Sequence, residues 1–166
     1  MRSDIYDFIL GLRAIRSYRD EEVAPEHLEA ILEAARWTGS SKNSQNWSFV
    51  VVTDPERLAA LADCGDFTDP LRNSAVTIVI VQEPSGYEFD SGRVAQNIML
   101  AARTLGVASC PITLHRDEDA RGLLGAPADR RTRYAVALGY PADDAAPARF
   151  GGRQDLDRLV HRESYG

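Results

Sequence analysis

Residues 39–47 read Gly-Ser-Ser-Lys-Asn-Ser-Gln-Asn-Trp, and this stretch separates a helical pattern from a strand pattern. Before it, apolar residues recur at helical spacing up to Trp37, and after it an apolar run covers residues 49–52. Its hydroxyl and carboxamide groups suit a flat ligand with many hydrogen-bond acceptors. The alternative is a solvated connector, because serine and asparagine are ordinary turn residues. The rest of the chain has to decide between these two interpretations.

Working outward from this loop, apolar periodicity predicts helices and strands that alternate along the chain. The predicted helices cover residues 4–12, 25–37, 54–62, 91–105 and 117–124, and the predicted strands cover residues 49–53, 75–81, 107–113 and 134–138. The β-branched run at 75–81 predicts a strand that is buried on both faces. This order indicates a central mixed sheet with helices on its faces, followed by a polar tail with apolar residues at 156, 159 and 160.

Length and charge exclude several classes of function. The 166 residues fit one domain, 1–166, and the formal net charge of −6 argues against nonspecific binding to nucleic acid or to an anionic membrane. No apolar run is long enough to span a bilayer, and the N-terminus lacks the apolar core of a signal peptide. Cys64 and Cys110 form neither a disulfide framework nor a metal-binding motif. We therefore expect a reduced, cytoplasmic protein.

Familiar catalytic motifs are absent from the sequence. There is no glycine-rich dinucleotide fingerprint, no Walker loop and no serine nucleophile elbow. The histidines His27, His115 and His161 are far apart and lack metal-ligand spacing, so no metal is expected. We therefore expect no catalytic side chain, and we expect that a bound cofactor supplies the chemistry.

Five segments, taken in order, resemble the nitroreductase family of FMN proteins. They are Arg13-Ala14-Ile15-Arg16-Ser17-Tyr18; Leu28-x-x-Ile31-Leu32-x-Ala34-Ala35 followed by Ser40-x-x-Asn43-x-Gln45-x-Trp47; Ala95-Gln96-Asn97-Ile98-Met99-Leu100-Ala101-Ala102; Ala137-Leu138-Gly139-Tyr140-Pro141; and Arg153-x-x-Leu156-x-x-Leu159-Val160-His161. The resemblance covers nearly the whole chain. It implies an α+β, three-layer fold with a central mixed β-sheet flanked by helices, and an interlocked homodimer.

The resemblance also implies two FMN molecules at the dimer interface, with residues of both subunits around each. The implied cofactor-binding residues are Arg13, Ala14, Arg16, Ser40, Ser41, Asn43, Gln45, Pro111, Ile112, Thr113, Leu114, Arg149 and Arg153. The backbone of residues 111–114 would cover one flavin face and donate toward N5, and Arg16 would lie near N1. The tail, residues 142–166, would pack on the partner, with Arg153 the best match for a phosphate ligand and Arg149 the second.

Elementary chemistry agrees with part of this assignment. Planar guanidinium groups are good partners for a phosphate dianion. Arg13 and Arg16 are three residues apart, so a helix end or turn would present both on one side. The alternative is that both are solvent-exposed arginines, since arginine supplies all the positive charge apart from Lys42.

The sequence departs from the family pattern at several positions. Leu12 and Ala14 stand where the family usually has a basic residue and a serine, so phosphate binding would shift to Arg13 or to the tail. Gly39 and Asn46 replace the usual prolines, which leaves the donors of the loop but loosens it. Thr113 and Leu114, which replace an acidic residue and a glycine, keep the backbone donors but make the pocket less polar.

The resemblance implies an FMN-dependent NAD(P)H oxidoreductase. A nicotinamide, NADH or NADPH, would reduce the flavin at N5, and a small acceptor such as a nitroaromatic or a quinone would then enter the same pocket, by a ping-pong mechanism. Three alternatives stay open: a specialised flavin reaction such as reductive dehalogenation or ring dehydrogenation, a flavin store or redox sensor with little turnover, and a mixed-sheet domain without cofactor.

Overall fold

The computed structural model describes residues 3–148 and 152–165, which fold into a four-stranded sheet packed between helices. The helices are α1 (Asp4–Leu10), α2 (Pro25–Arg36), α3 (Pro55–Ala62), α4 (Asp69–Arg72), α5 (Glu88–Thr104) and α6 (Asp117–Leu124). The strands are β1 (Trp47–Val52), β2 (Val76–Gln82), β3 (Ala108–Thr113) and β4 (Arg131–Gly139). Short 3₁₀ turns cover Ser41–Asn43 and Leu156–Arg158.

The predicted elements are confirmed, with small shifts at their ends. Ser3 and Asp54 cap α1 and α3 through their side chains, and Gly125 ends α6 in the left-handed conformation with φ of 66°. Helix α5 begins three residues earlier than predicted, and its N-cap, Tyr87, makes no side-chain capping bond that the sequence could have signalled. Helix α4 was not predicted, because four residues are too few to show a periodic pattern.

The strand directions correct one expectation. The order is β1-β2-β4-β3, and every neighbouring pair is antiparallel, so the described residues form an antiparallel sheet instead of the expected mixed one. Strand alternation with helices does not fix direction, because a helical connection can return the chain in either sense. The order makes β1 and β3 the two edges of the sheet.

Two apolar layers cover the sheet. On one face, α2 and α5 pack on Ile78, Ile80 and Val136, and on the other face α3 and α6 pack near Val79 and Ala135. Strand β2 is buried along its whole length, as its continuous apolar run predicts. In the register of β3 with β4, Ser109, Pro111 and Thr113 lie opposite Leu138, Val136 and Tyr134. These β4 residues belong to the layer packed by α5, so the three β3 side chains lie on the same face.

One apolar surface remains uncovered within the protomer. Helix α1 has no buried residue, and its Ile5 and Ile9 are 72% and 49% exposed. Beside them a groove of about 840 Å³ runs between α1, α2 and α5. Phe89 at the start of α5 and Trp37 after α2 are also exposed. Large contiguous apolar patches mark interaction surfaces.

Candidate cofactor site

The outer edge of β3 carries backbone groups that do not take part in the sheet. The N–H of Ile15 donates to the carbonyl of Ser109 at 3.0 Å, so that carbonyl points away from β4. The N–H of Leu114 donates to the carbonyl of Arg133 at 2.8 Å, so the backbone N–H of Leu114 faces β4. Since alternate residues of an antiparallel strand point to opposite sides, the N–H of Thr113 points outward.

Two further observations support this orientation. Pro111 has no N–H, and proline within a sheet occupies positions where the N–H would face away from the neighbouring strand. A Cβ at Gly65 would lie 2.8 Å from the carbonyl oxygen of Thr113, so this oxygen faces the loop after α3 and not β4. Pro111 is itself exposed. The expected backbone donor of residues 111–114 therefore exists, and it is the N–H of Thr113.

A cleft lies on the α5 face next to this donor. Its volume is about 610 Å³, and α5 contributes Glu88, Gln96 and Met99 while the sheet contributes Pro111, Thr113 and Tyr134. The lining combines apolar surface with a few polar groups, which is the usual character of a small-molecule site.

Arg13 and Arg16 do not lie on one side as expected. Residues 12–17 form neither helix nor turn and are bonded to β3 at Ser109, so no helix end or turn places the two arginines on one side. Arg13 donates to the carbonyls of Leu10 and Leu12 at 2.8 and 2.7 Å and lines a cleft near the end of α1. Arg16 lines a different cleft, between residues 16–22 and the start of β2.

The charge of Arg16 acts on the edge of β3. Burial raises the pKa of the Cys110 thiol, and the Arg16 guanidinium opposes that rise. Burial likewise raises the pKa of the Tyr18 hydroxyl far above its ordinary value, and Arg16 again acts in the opposite direction. Both groups are neutral near pH 7, so neither neutralises Arg16. Asp20, Glu21 and Glu22 line the same cleft as Arg16, so carboxylates face this cleft as well as the guanidinium.

Tyr18 fixes the segment that carries both arginines. Its hydroxyl donates to the carbonyl of Ile15 at 2.9 Å and lies 3.4 Å from the carbonyl of Ala137 in β4. The ring packs on Gly139, where a Cβ would come within 2.9 Å of the tyrosine side chain. A buried, hydrogen-bonded anchor of this kind holds the neighbouring Ala14 and Arg16 in place.

The loop at residues 39–47 is exposed and strained. Lys42, Asn43 and Gln45 have φ of 53°, 55° and 49°, values that residues other than glycine rarely adopt. The hydroxyl of Ser40 accepts the N–H of Gln45 at 2.9 Å, and the amide of Gln45 donates to the carbonyl of Asn43 at 3.3 Å. Ser40 and Gln45 therefore stabilise the loop from within. Within the described residues the Asn43 side chain makes no such bond.

Helix α5 and the turn before it anchor the two ends of this loop. Asn97 donates to the hydroxyl of the buried Thr38 at 2.8 Å, and Arg93 donates to the carbonyl of Gly39 at 2.5 Å. At the other end, Asn46 donates to the carbonyl of Ser85 at 3.4 Å. These bonds replace the stiffness that proline would have given at 39 and 46.

The candidate residues form two groups on opposite edges of the sheet. The loop leads into β1, whereas Arg16 and residues 111–114 lie at β3. Three strand spacings of about 4.8 Å separate the edges, or roughly 14 Å. One protomer therefore does not bring Ser40, Ser41, Asn43 and Gln45 together with the residues at β3.

The C-terminal tail makes little contact with its own protomer. All residues from 152 to 165 are exposed, and Leu156, Leu159 and Val160 are 72%, 58% and 46% exposed. Arg153 is exposed as well. Arg149, the second tail candidate, lies outside the described residues.

Residues 3–148 and 152–165 contain neither a metal-binding cluster nor a helix that could span a membrane. No group of three or more His, Cys, Asp or Glu side chains is arranged to hold a metal ion there. No helix in the same ranges is long and apolar enough to cross a membrane. The free thiols of Cys64 and Cys110 are buried in the core.

The fold is that of an α+β protein with an antiparallel sheet between helices, and comparison with known proteins identifies the family. The profile of the Nitroreductase family matches residues 9–65 and 67–140. A protein of Archaeoglobus fulgidus assigned as an NADH dehydrogenase/NAD(P)H nitroreductase is 35% identical over 92% of this chain and 94% of its own length. The chain belongs to the nitroreductase family.

Solved structures agree with this membership. An FMN-dependent nitroreductase of Clostridium difficile superposes with a TM-score of 0.82 at 30% identity, covering 95% of this chain and 98% of the other. A Desulfovibrio desulfuricans protein assigned as a nitroreductase, whose structure contains FMN, gives 0.83 at 27% identity and covers 100% of both chains. The prediction of the family and of its α+β fold is confirmed.

Sequence reasoning missed two residues that shape this region. Gly65 lets the loop after α3 approach the end of β3, and Arg103 on α5 lies beside Arg13. Neither belongs to a motif, since each matters through residues distant in sequence. The one available signal was Pro111, because a proline within a strand pattern indicates an edge strand.

Proposed function

We propose that this protein is an FMN-dependent oxidoreductase that takes electrons from NADH or NADPH and passes them to a small oxidised acceptor. The observation that carries the proposal is the outward N–H of Thr113 at the β3 edge, with the charge of Arg16 beside the same strand. Family membership and the FMN bound to a full-length structural neighbour support the same cofactor.

The residues present fit FMN. Isoalloxazine needs a donor at N5 and positive charge near N1, and Thr113 and Arg16 are the residues that would supply them. The phosphate needs guanidinium groups, and Arg13 lines a separate cleft. FMN is elongated, with its ring at one end and its phosphate at the other. This shape matches a site in which Thr113 and the Arg13 cleft are separate. Leu12 and Ala14 offer neither charge nor hydroxyl, so they contribute packing and backbone only.

FMN supplies, when bound, the hydride chemistry that links a nicotinamide to an acceptor. The protein's part is to orient and to polarise. When FMN is bound, the N–H of Thr113 would donate a hydrogen bond at the reacting edge of the ring, and Arg16 would favour negative charge on its pyrimidine side. Tyr18 and Gly139 keep Arg16 in place. The cleft of about 610 Å³ offers room for one flat molecule at a time, so donor and acceptor would use it in turn.

The complete site needs a second copy of the chain. The polar loop lies roughly 14 Å from β3 across its own sheet. Among the described residues, Ile5 and Ile9 of α1 and the tail stripe of Leu156, Leu159 and Val160 are exposed. A homodimer would bury the α1–α5 groove and bring the loop of one subunit to the β3 edge of the other. Arg153 of the tail would then reach the phosphate across the interface.

Nitroaromatics and quinones are the acceptors we propose. They are flat, they accept electrons from a reduced flavin, and an open cleft with few charges would not discriminate strongly among them. Only Glu83 to Tyr87 connect β2 to α5, so no long lid is inserted there.

The decisive experiment is the absorption spectrum of the purified protein before and after anaerobic NADH or NADPH, with chromatography of the released flavin. We expect the released flavin to be FMN. Its visible absorption in the protein should disappear when the nicotinamide is added and return when a quinone is added. Flavin that the nicotinamide does not bleach would indicate a flavin store. Colourless protein that gains no thermal stability from FMN, or release of FAD alone, would contradict the proposal.

The dimer has its own test. Ile9→Glu places a charge on the exposed apolar surface of α1, and Glu29→Gln on the polar side of α2 serves as a control. We expect Ile9→Glu to give monomers that lose FMN, while the control stays dimeric and yellow. Monomers that retain FMN with undiminished affinity would place the whole site within one protomer.

A further inference from the structure

A small basic cleft lies where α1 ends against the start of β3. Its volume is about 240 Å³, and it is lined by Gly11, Arg13, Ile15, Arg103, Ser109 and Pro147 among others. Arg103 comes from the last turn of α5, so two elements far apart in sequence each place a guanidinium there. No carboxylate lines the cleft among the described residues. Two like charges therefore share one small space without a counter-charge.

Arg13 and Arg103 are each fixed by hydrogen bonds to backbone carbonyl groups. Arg103 donates through NH1 to Phe8 at 2.6 Å, and its guanidinium lies 4.6 Å from the ring centre of the same residue. Arg13 donates through NH1 to Leu10 and Leu12. Each guanidinium has five N–H donors, so several remain for a ligand. The carbonyl end of α1 also offsets part of the positive charge.

Gly11 allows Arg103 to come this close. A Cβ at position 11 would lie 2.6 Å from NH2 and 2.9 Å from NH1 of Arg103. The backbone there has φ of −84°, which every residue adopts easily, so glycine is not needed for the turn. The glycine therefore serves the contact, and the arginine head group is positioned rather than free to move.

The position of the cleft relative to Thr113 bears on which ligand it could bind. It adjoins Ser109 on β3, four residues before Thr113 on the same outer edge, or about 13 Å along the strand. Because Ile15 already bonds the edge at Ser109, a ligand whose ring contacts the N–H of Thr113 would run past residues 12–15, and its far end would reach this cleft. We propose that Arg103, together with Arg13, binds the phosphate of FMN. This assignment rests on the proposed function and adds a ligand from α5 to it.

Flavin-free protein titrated with FMN and with riboflavin tests the assignment, because only FMN carries the phosphate. Arg103→Gln should weaken FMN binding by about 10- to 100-fold, the range for a charge-assisted hydrogen bond, and riboflavin binding by less than about twofold. Gly11→Ala keeps every charge but displaces the Arg103 head group, so it should produce the same selective loss in smaller measure. High salt should weaken FMN binding to the wild type more than to Arg103→Gln.

Arg57→Gln is the matched control. Arg57 also donates to one carbonyl, that of Leu123 at 3.1 Å, but it lies on α3 across the sheet. It should leave both affinities unchanged. Equal losses of FMN and riboflavin in Arg103→Gln would mean that Arg103 only holds α1, and an unchanged FMN affinity would also overturn the assignment. A wild type that binds neither flavin would instead refute the proposed function itself.

Discussion

The N–H of Thr113 can be removed without changing the side chains around it. Thr113→Pro deletes this donor at a position where it does not serve the sheet, and Pro111 already occupies the equivalent position two residues earlier. We therefore expect the variant to fold with little loss of stability. Ile112→Pro would instead remove an N–H that faces β4 and would destabilise the sheet.

The expected size of the effect follows from one neutral hydrogen bond. Its net value is about 0.5–1.5 kcal/mol, which corresponds to a loss of FMN affinity of roughly 2- to 12-fold. The rate of anaerobic reduction of the bound flavin by NADH or NADPH should fall by at least that factor, because the donor acts where charge changes during the reaction. Titration of flavin-free protein and stopped-flow absorbance measure the two quantities.

Thr113→Ala is the matched control, since it removes the hydroxyl and methyl groups but keeps the N–H. It should bind FMN and accept electrons almost as well as the wild type. The reasoning would be refuted if the alanine and proline variants behaved alike, because the backbone donor would then play no part. Thermal unfolding of both flavin-free variants separates a lost contact from a damaged strand.

Three further predictions concern the other candidate residues. Arg16→Gln should lower the two-electron reduction potential of bound FMN by roughly 30–65 mV, the equivalent of 1.5–3 kcal/mol for a charged hydrogen bond, and an unchanged potential would move Arg16 away from the ring. Asn43→Ala should weaken FMN binding without affecting the fold, since the Asn43 side chain makes no hydrogen bond within the described residues. Gln45→Ala should also loosen the loop, because the Gln45 amide donates to the carbonyl of Asn43. Unchanged FMN affinity in the double variant would exclude the loop as a flavin contact. Truncation after Ala148 should weaken both FMN binding and dimerisation, and Arg153→Ala should weaken FMN about 10- to 100-fold but riboflavin little; equal losses would exclude a phosphate contact.

Most of the fold was predictable because its signals are local. The run at β2 has one apolar residue after another, and the capping residues Ser3 and Asp54 mark helix starts directly. The direction of the strands was not predictable, because it depends on which strands pair and not on any residue within them. The expectation of a mixed sheet failed for that reason, although the α+β class was right.

The site was predictable as a set of residues but not as a geometry. The three-residue spacing of Arg13 and Arg16 predicted that both side chains lie on one side of a helix end or turn. The contact of Ile15 with Ser109 holds this segment against β3 without a turn, and the two arginines line different clefts. Sequence could not show this, because the contact joins residues that are far apart in the chain.

The separation of the two arginines strengthens the case for an elongated ligand. If Arg16 shared the cleft of Arg13 and Arg103, the three guanidinium groups would suit a lone phosphate, and such a site would say nothing about a ring. Here Arg13 lies beside Ser109, whereas the charge of Arg16 acts near residue 110 from another cleft and the free donor is at Thr113. The guanidinium that would bind the phosphate and the backbone donor that would contact the ring thus lie at successive positions along the edge of β3. Gln96, Thr113 and Tyr134 line the cleft at the ring end of that edge, and the polar loop before β1 of a second subunit would add further hydrogen-bonding groups.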